Sequence, residues 1–134
     1  MRKLFLFIIF FLLPFYLFPK TSQAKDYYFP NVKAEYTINQ DGSIDVLESR
    51  TYKFDGSFSW ADITIPLAVT RKGYDYKTSI KNFRVVEAGK NIPTTSNLQD
   101  GNFYAKWTYT ALDETRTFDL SYTSFAPIPN LGYT

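Results

Sequence analysis

The sequence contains no cysteine and no histidine. The first absence removes disulfide staples, so an exported form of the chain must be held together by its core alone. Together the two absences remove structural zinc sites and the Cys- and His-based nucleophile systems. A hard, oxygen-ligated ion such as Ca²⁺ is the one metal chemistry left. The run Asp41-Gly42-Ser43-Ile44-Asp45 does not supply it, because an EF-hand loop needs further oxygen ligands and a glutamate at its twelfth position. No G-x-S-x-G, P-loop or dinucleotide-binding fingerprint occurs. No metal, no cofactor and no catalytic residues are therefore expected, and the chain reads as a non-enzyme.

An excess of one charge is missing as well. The formal net charge of +2 comes from the N-terminus: Arg2, Lys3 and Lys20 are three of the fifteen basic residues, leaving twelve against thirteen acidic residues from Lys25 onward. A near-neutral domain without blocks of like charge does not fit a partner held by phosphate contacts, so nucleic acid is excluded as a ligand.

What is present begins with an address. Arg2-Lys3, the apolar run Leu4–Phe18 and the small residues Ser22 and Ala24 form a charged start, a hydrophobic stretch and a cleavage-like site. The apolar run is shorter than the roughly 20 residues of a spanning helix and contains Pro14. Residues 1–24 are thus expected to be a helical signal peptide, with an uncleaved N-terminal anchor as the rival reading.

From Lys25 to Thr123 the pattern is that of β-strands. Val32, Ala34, Tyr36 and Ile38 alternate with Lys33, Glu35 and Thr37, which predicts a half-buried strand. Asp41-Gly42 supplies a tight turn, and the phase Ile44, Val46, Glu48, Arg50, Tyr52, Phe54 returns as the second arm of a hairpin. Asp55-Gly56 ends that arm. An extended segment follows from Phe58 to Pro66, where the proline confines the end to an edge or bulge. Ala68–Lys77 reads as a polar loop, Ser79–Val86 as a strand, and Gly89–Asn97 as a loop. Phe103–Tyr109 and Phe118–Tyr122 form a second hairpin around Leu112–Thr115. Short strands, frequent turn signals and no helical period predict an all-β fold, an antiparallel immunoglobulin-like β-sandwich spanning residues 25–123. Residues 124–134 carry Pro127 and Pro129 and no strand pattern, and are expected to be an irregular tail. The last strand then lacks a neighbour on its far side. The sandwich is expected to be incomplete, with an exposed edge and a truncation point near Thr134.

The candidate binding residues are Trp60, Tyr104 and Glu48. Trp107 is in phase with Phe103 and Ala105 and belongs in the core. Trp60 leans toward the core too, yet also suits a stacking platform for sugars or a membrane interface. Tyr104 points away from that core and is the better surface candidate. Glu48 and Arg50 fall on the same face as Ile44 and Val46; taken literally they point inward, an arrangement costly to desolvate. A bulge or a strand running out to the sheet rim is the simpler expectation.

The stretch around these residues resembles a known family. An alternating strand from Val32, an Asn39-x-Asp41-Gly42-Ser43 turn, the strand Asp45-Val46-x-Glu48 through Tyr52-x-Phe54, the Gly56-x-Phe58 loop and the closing Ile65-Pro66 are similar to the opening of domain of unknown function 2207, which heads mostly bacterial predicted membrane proteins. The run Phe118–Thr123 is similar to a later strand of that family. The resemblance implies an envelope address and a membrane attachment, through a missing C-terminal part or an uncleaved leader, and it implies no reaction. The chain is accordingly expected to be exported and to face outside the cytoplasm, serving recognition or assembly at the cell envelope with a protein or glycan partner. The alternative is a secreted carbohydrate-binding or adhesin-like module built on Trp60 and Tyr104.

Overall fold

A computed structural model describes residues 24–71 and 74–125. The signal helix expected over 1–24 and most of the irregular tail lie outside the described residues. The chain is all-β, and every strand pair is antiparallel. In chain order the strands are β1 (Asp26–Ile38), β2 (Ile44–Asp55), β3 (Ser57–Pro66), β4 (Ala68–Arg71), β5 (Tyr74–Lys77), β6 (Ser79–Glu87), β7 (Lys90–Asn91), β8 (Thr94–Gln99), β9 (Asn102–Leu112) and β10 (Thr115–Phe125). A five-stranded sheet ordered β1-β2-β10-β6-β7 packs on a three-stranded sheet ordered β3-β9-β8, and β4 and β5 form a separate ribbon. This is the expected sandwich, with two layers closing over one core.

The first hairpin turns on the Asn39–Ser43 segment. Gly42 adopts a φ of 79°, a conformation that costs glycine nothing. The Asp41 carboxylate accepts from the Ser43 amide at 2.9 Å and from the Ser43 hydroxyl at 2.6 Å. These bonds hold the Asp41 carboxyl below its ordinary value, the hydroxyl contributing most. Asp45 is held low in the same way by Thr123, which donates at 2.7 Å, and by Asn39, at 3.0 Å. The turn is thereby tied to the neighbouring strand β10.

Inward-facing residues of both sheets make the core: Tyr52, Phe54, Val85, Phe118 and Leu120 from the larger sheet, Trp107 and Ala111 from the smaller. Trp107 is fully buried, and Phe103 and Ala105 are buried beside it, as their phase predicted.

Several expectations are corrected. The second hairpin does not form: β9 pairs with β3 and β8, β10 pairs with β2 and β6, and the chain crosses from one sheet to the other at Leu112–Thr115, because both strands bury a face in the core from opposite layers. β10 is not an unpaired last strand. It lies between β2 and β6 and pairs with both, and its ladder extends through Ser124 and Phe125, past the expected start of the irregular tail at residue 124. Among the described residues the outer strands of the larger sheet are β1 and the two-residue β7, and β1 is exposed along its whole length rather than half-buried. The physical reason is the mismatch of widths: β9 lies over β2 and β6, β8 lies over β6, and three strands do not reach across five. In the segment expected to be a polar loop over Ala68–Lys77, Ala68–Arg71 and Tyr74–Lys77 pair as a two-strand ribbon. Gly89–Asn97 contains β7 and the start of β8. β8 escaped notice because Thr94–Gln99 is nearly all polar, as suits an edge strand that contributes backbone bonds to β9 and few side chains to the core. Its signal was the Asp100-Gly101 turn, whose φ values of 50° and 75° match the turn that joins twisted hairpin strands.

Candidate functional site

The sheet-width mismatch leaves the sandwich open on one side, between the edge strands β1 and β3. The opening is a cleft of about 520 Å³ lined by Tyr27 and Phe29 of β1, Arg50, Tyr52 and Phe54 of β2, Phe58, Trp60 and Asp62 of β3, and Tyr109 of β9. Its walls are held by ring contacts. The Phe29 and Tyr52 centroids lie 4.5 Å apart, Phe54 and Phe58 4.8 Å, and Tyr27 meets Phe58 edge-on at 5.9 Å. Offset and edge-to-face contacts of this kind favour a fixed arrangement of rings.

Local irregularities aim these rings. Tyr27 and Phe29, two residues apart, share the inner face, and a register shift in β1 between Tyr28 and Asn31, which leaves Phe29 and Pro30 opposite Tyr52, resets the phase so that Val32, Ala34 and Tyr36 lie opposite Arg50, Glu48 and Val46. A second shift, in the β3–β9 pairing between Phe58 and Trp60, changes the phase of β3: Phe58, Ala61 and Ile63 pack against the core, while Trp60 turns outward and is 49% exposed. The Tyr109 hydroxyl donates to the Trp60 carbonyl at 3.1 Å and pins this irregularity. Trp60 is thus a surface residue, contrary to its leaning toward the core; strict period-2 reasoning fails at the bulge. Burial first, then neighbouring charges, pushes the Tyr109 hydroxyl up to about 12.

Glu48 and Arg50 do face inward. The β2–β10 register runs unbroken from Ile44 to Lys53, so the expected bulge is absent there. Arg50 Nε donates to Glu48 Oε2 at 2.8 Å, and the Tyr122 hydroxyl donates to Glu48 Oε1 at 3.2 Å. The two side chains are 13% and 22% exposed for Glu48 and Arg50 respectively. Both carboxylate oxygens are engaged, which suits a charge held in place better than one that takes a proton from a ligand. Burial, and then the Glu48 charge, pushes the Tyr122 hydroxyl up to about 12. Arg50 lines the cleft, as does Lys25, whose Nζ stands 5.9 Å from the Phe58 ring centroid; Glu48 stands behind Arg50 as its anchor. Among the described residues no group of three or more carboxylates is placed to hold a metal ion.

Tyr104 is on the outer face of the smaller sheet, opposite Thr64, and Trp60 is opposite Thr108 on that same face. The two aromatics are four ladder positions apart, about 13 Å. Asp62 and Lys106 pair between them, and Lys106 Nζ stands 4.3 Å from the Trp60 ring centroid. The structure therefore brings Trp60 and Tyr104 onto one face, and places Glu48 elsewhere, on the inner face of β2 behind Arg50. Tyr27, Phe29, Tyr52 and Tyr109 were missed as cleft residues. The available signal was the run Tyr27-Tyr28-Phe29-Pro30, an aromatic cluster at a proline inside a strand.

A family model described as the N-terminal domain of a predicted membrane protein, DUF2207, matches residues 28–128. The chain belongs to this family. The match covers β2, β3 and β9 completely and nearly all of the described strands, including the Asp41-Gly42-Ser43 turn and the Ile65-Pro66 segment that carried the resemblance. Membership assigns the domain to a membrane protein and leaves its role unstated. No curated protein and no solved structure matches the chain.

Proposed function

We propose that this domain is a non-enzymatic recognition module of a membrane-attached protein, facing outside the cytoplasm, and that it binds an apolar, aromatic-bearing segment of a partner protein in the cleft between β1 and β3. The cleft itself carries the reading: a concave, aromatic-lined opening of about 520 Å³ with two cations, Lys25 and Arg50, the second held by an anchoring carboxylate. Its size and lining fall in the range of ligand sites, where apolar walls supply affinity and a few fixed polar groups supply orientation. The export-like leader and the family's membrane assignment support the address.

The test is a peptide array probed with the full chain in detergent micelles. Binding of aromatic peptides that is lost in Phe29→Ala and in Arg50→Gln, and kept in Tyr104→Ala, supports the cleft. Binding that survives both cleft substitutions overturns it.

A second reading, glycan binding on the outer face, rests on the shared placement of Trp60 and Tyr104. Lys106 already stands over the Trp60 ring, which is why the cleft is preferred. Glycan binding abolished by Trp60→Ala with the fold intact would reverse that preference.

A further inference from the structure

β1 is the outermost strand of the larger sheet, and all thirteen of its residues are exposed. Its free backbone edge is a template for pairing with another strand. The segment that can accept a partner is bounded at both ends. Pro30, at the register shift between Tyr28 and Asn31, lacks an amide hydrogen and interrupts the edge on one side. The Asn39–Ser43 turn ends it on the other. What remains is a regular stretch from Asn31 to Ile38.

The side chains along this stretch complement themselves. Lys33 and Glu35 share the outward face, where they form an exposed pair at 2.5 Å with side chains 68% and 57% exposed. Val32, Ala34 and Tyr36 share the opposite face, and Val32 and Tyr36 are 55% and 66% exposed. If two such strands run antiparallel about Ala34, each Lys33 falls opposite the other copy's Glu35, each Val32 opposite Tyr36, and Ala34 opposite itself. From Val32 to Tyr36 every directly opposed pair is then charge to opposite charge, or apolar to apolar, which are the favourable cross-strand combinations, and the flanking Asn31 meets Thr37, polar to polar. A shift by one residue in either direction sets Lys33 opposite an apolar or polar neighbour and destroys the match.

We infer that the second copy of this chain is the partner of β1, joined edge to edge by a two-fold axis at Ala34. The contact is isologous, as a closed dimer requires, and it merges two five-stranded sheets into one continuous sheet. Residues directly opposed across a ladder share a face, so both smaller sheets stand on the same side of the joined sheet, and both clefts open toward the trough between them.

The absence of cysteine makes the test clean. Opposed residues in an antiparallel pair have Cα atoms about 4.5–5.5 Å apart, within the roughly 4.4–6.8 Å that a disulfide spans. In full-length chain kept in detergent, Ala34→Cys is expected to give a disulfide-linked dimer on mild oxidation, and Leu47→Cys, exposed on the outer face of β2, is expected to stay monomeric. Sedimentation supplies the second readout. Lys33→Glu turns both cross-strand charge pairs into like-charge pairs and is expected to weaken self-association roughly tenfold; Lys33→Glu combined with Glu35→Lys restores it. An Ala34→Cys chain that keeps its free thiol, equal cross-linking at Leu47→Cys, or a charge-swapped double variant as weak as the single one would each overturn the proposed pairing.

Discussion

Arg50 and Glu48 sit two residues apart on β2 with their charged ends on the inner face of the sheet, Arg50 Nε donating to Glu48 Oε2 at 2.8 Å. The pair is mostly removed from water, yet it lies where the smaller sheet does not cover β2. Taking away one partner leaves the other desolvated and unpaired. Glu48→Ala is expected to cost about 2 kcal/mol of stability. Replacing both, in Glu48→Leu with Arg50→Met, is expected to cost less than Glu48→Ala alone, because no charge is then stranded. Urea unfolding of the three variants decides the matter. A double variant at least as unstable as the single one would show that the pair stabilises the sheet in its own right.

The two tryptophans should report the two faces of the smaller sheet separately. Trp107 is fully buried and Trp60 is 49% exposed. Trp60→Phe is expected to leave a blue-shifted emission that acrylamide barely quenches, and Trp107→Phe a red-shifted emission that it quenches readily. The same spectrum from both variants would refute the phase change in β3.

The alkaline limit of the fold is set in part by Tyr109 and Tyr122, each pushed up to about 12 from an ordinary 10.0. A raised value means that the folded state holds the phenol proton more tightly than the unfolded state. That contribution is complete below about pH 10 and disappears as the pH rises from about 10 through about 12. Stability is therefore expected to fall steeply over that window, and Tyr109→Phe together with Tyr122→Phe should flatten the fall. Tyrosinate absorbance followed alongside unfolding would expose the error if these two rings ionised at ordinary pH while the chain stayed folded.

Gly56 links two turns. Its amide donates to the Asp113 carboxylate at 2.6 Å, and the Asp113 amide donates back to the Gly56 carbonyl at 3.3 Å. Its φ is +92°, and an added Cβ would come within 3.3 Å of the Lys25 Cγ; at Gly89, with φ +78°, an added Cβ meets nothing. Gly89→Ala is expected to cost about 1 kcal/mol from backbone strain alone. Gly56→Ala should cost more, because Lys25 must also move. Thermal melts of the two variants make the comparison, and equal losses would argue against the close approach.

Much of the fold was legible because β-structure writes its period into the chain. The strands with one buried face, β2, β9 and β10, alternate clearly, and the Asp-Gly pairs mark their turns. The edges were illegible for a related reason. β8 buries too little to need an apolar face. β1 keeps an apolar alternation that nothing among the described residues covers. The cleft was legible only in part. Trp60 and Tyr104 stood out as aromatics, but their common face depends on a register shift between two strands, and such a shift leaves no period in the sequence. Glu48 and Arg50 were read in the right phase, and the desolvation argument then pointed away from it. The desolvation cost is lower than a complete second layer would impose, because the smaller sheet leaves this part of β2 uncovered.

The sequence by itself determined the class of the fold, the first hairpin, the burial of Phe103, Ala105 and Trp107, and, through the Asp41–Ser43 turn and the strand after it, the family. These follow from local rules: alternation sets the face, and Asp-Gly sets the turn. Only the tertiary structure decided which strand is an edge, that five strands face three, and that the side left open gathers the rings of β1, β2, β3 and β9 into one cleft. Those outcomes depend on pairings between segments far apart in the chain, such as β2 with β10. The energy that selects one pairing over another lies in the packed core and is not written in any single strand.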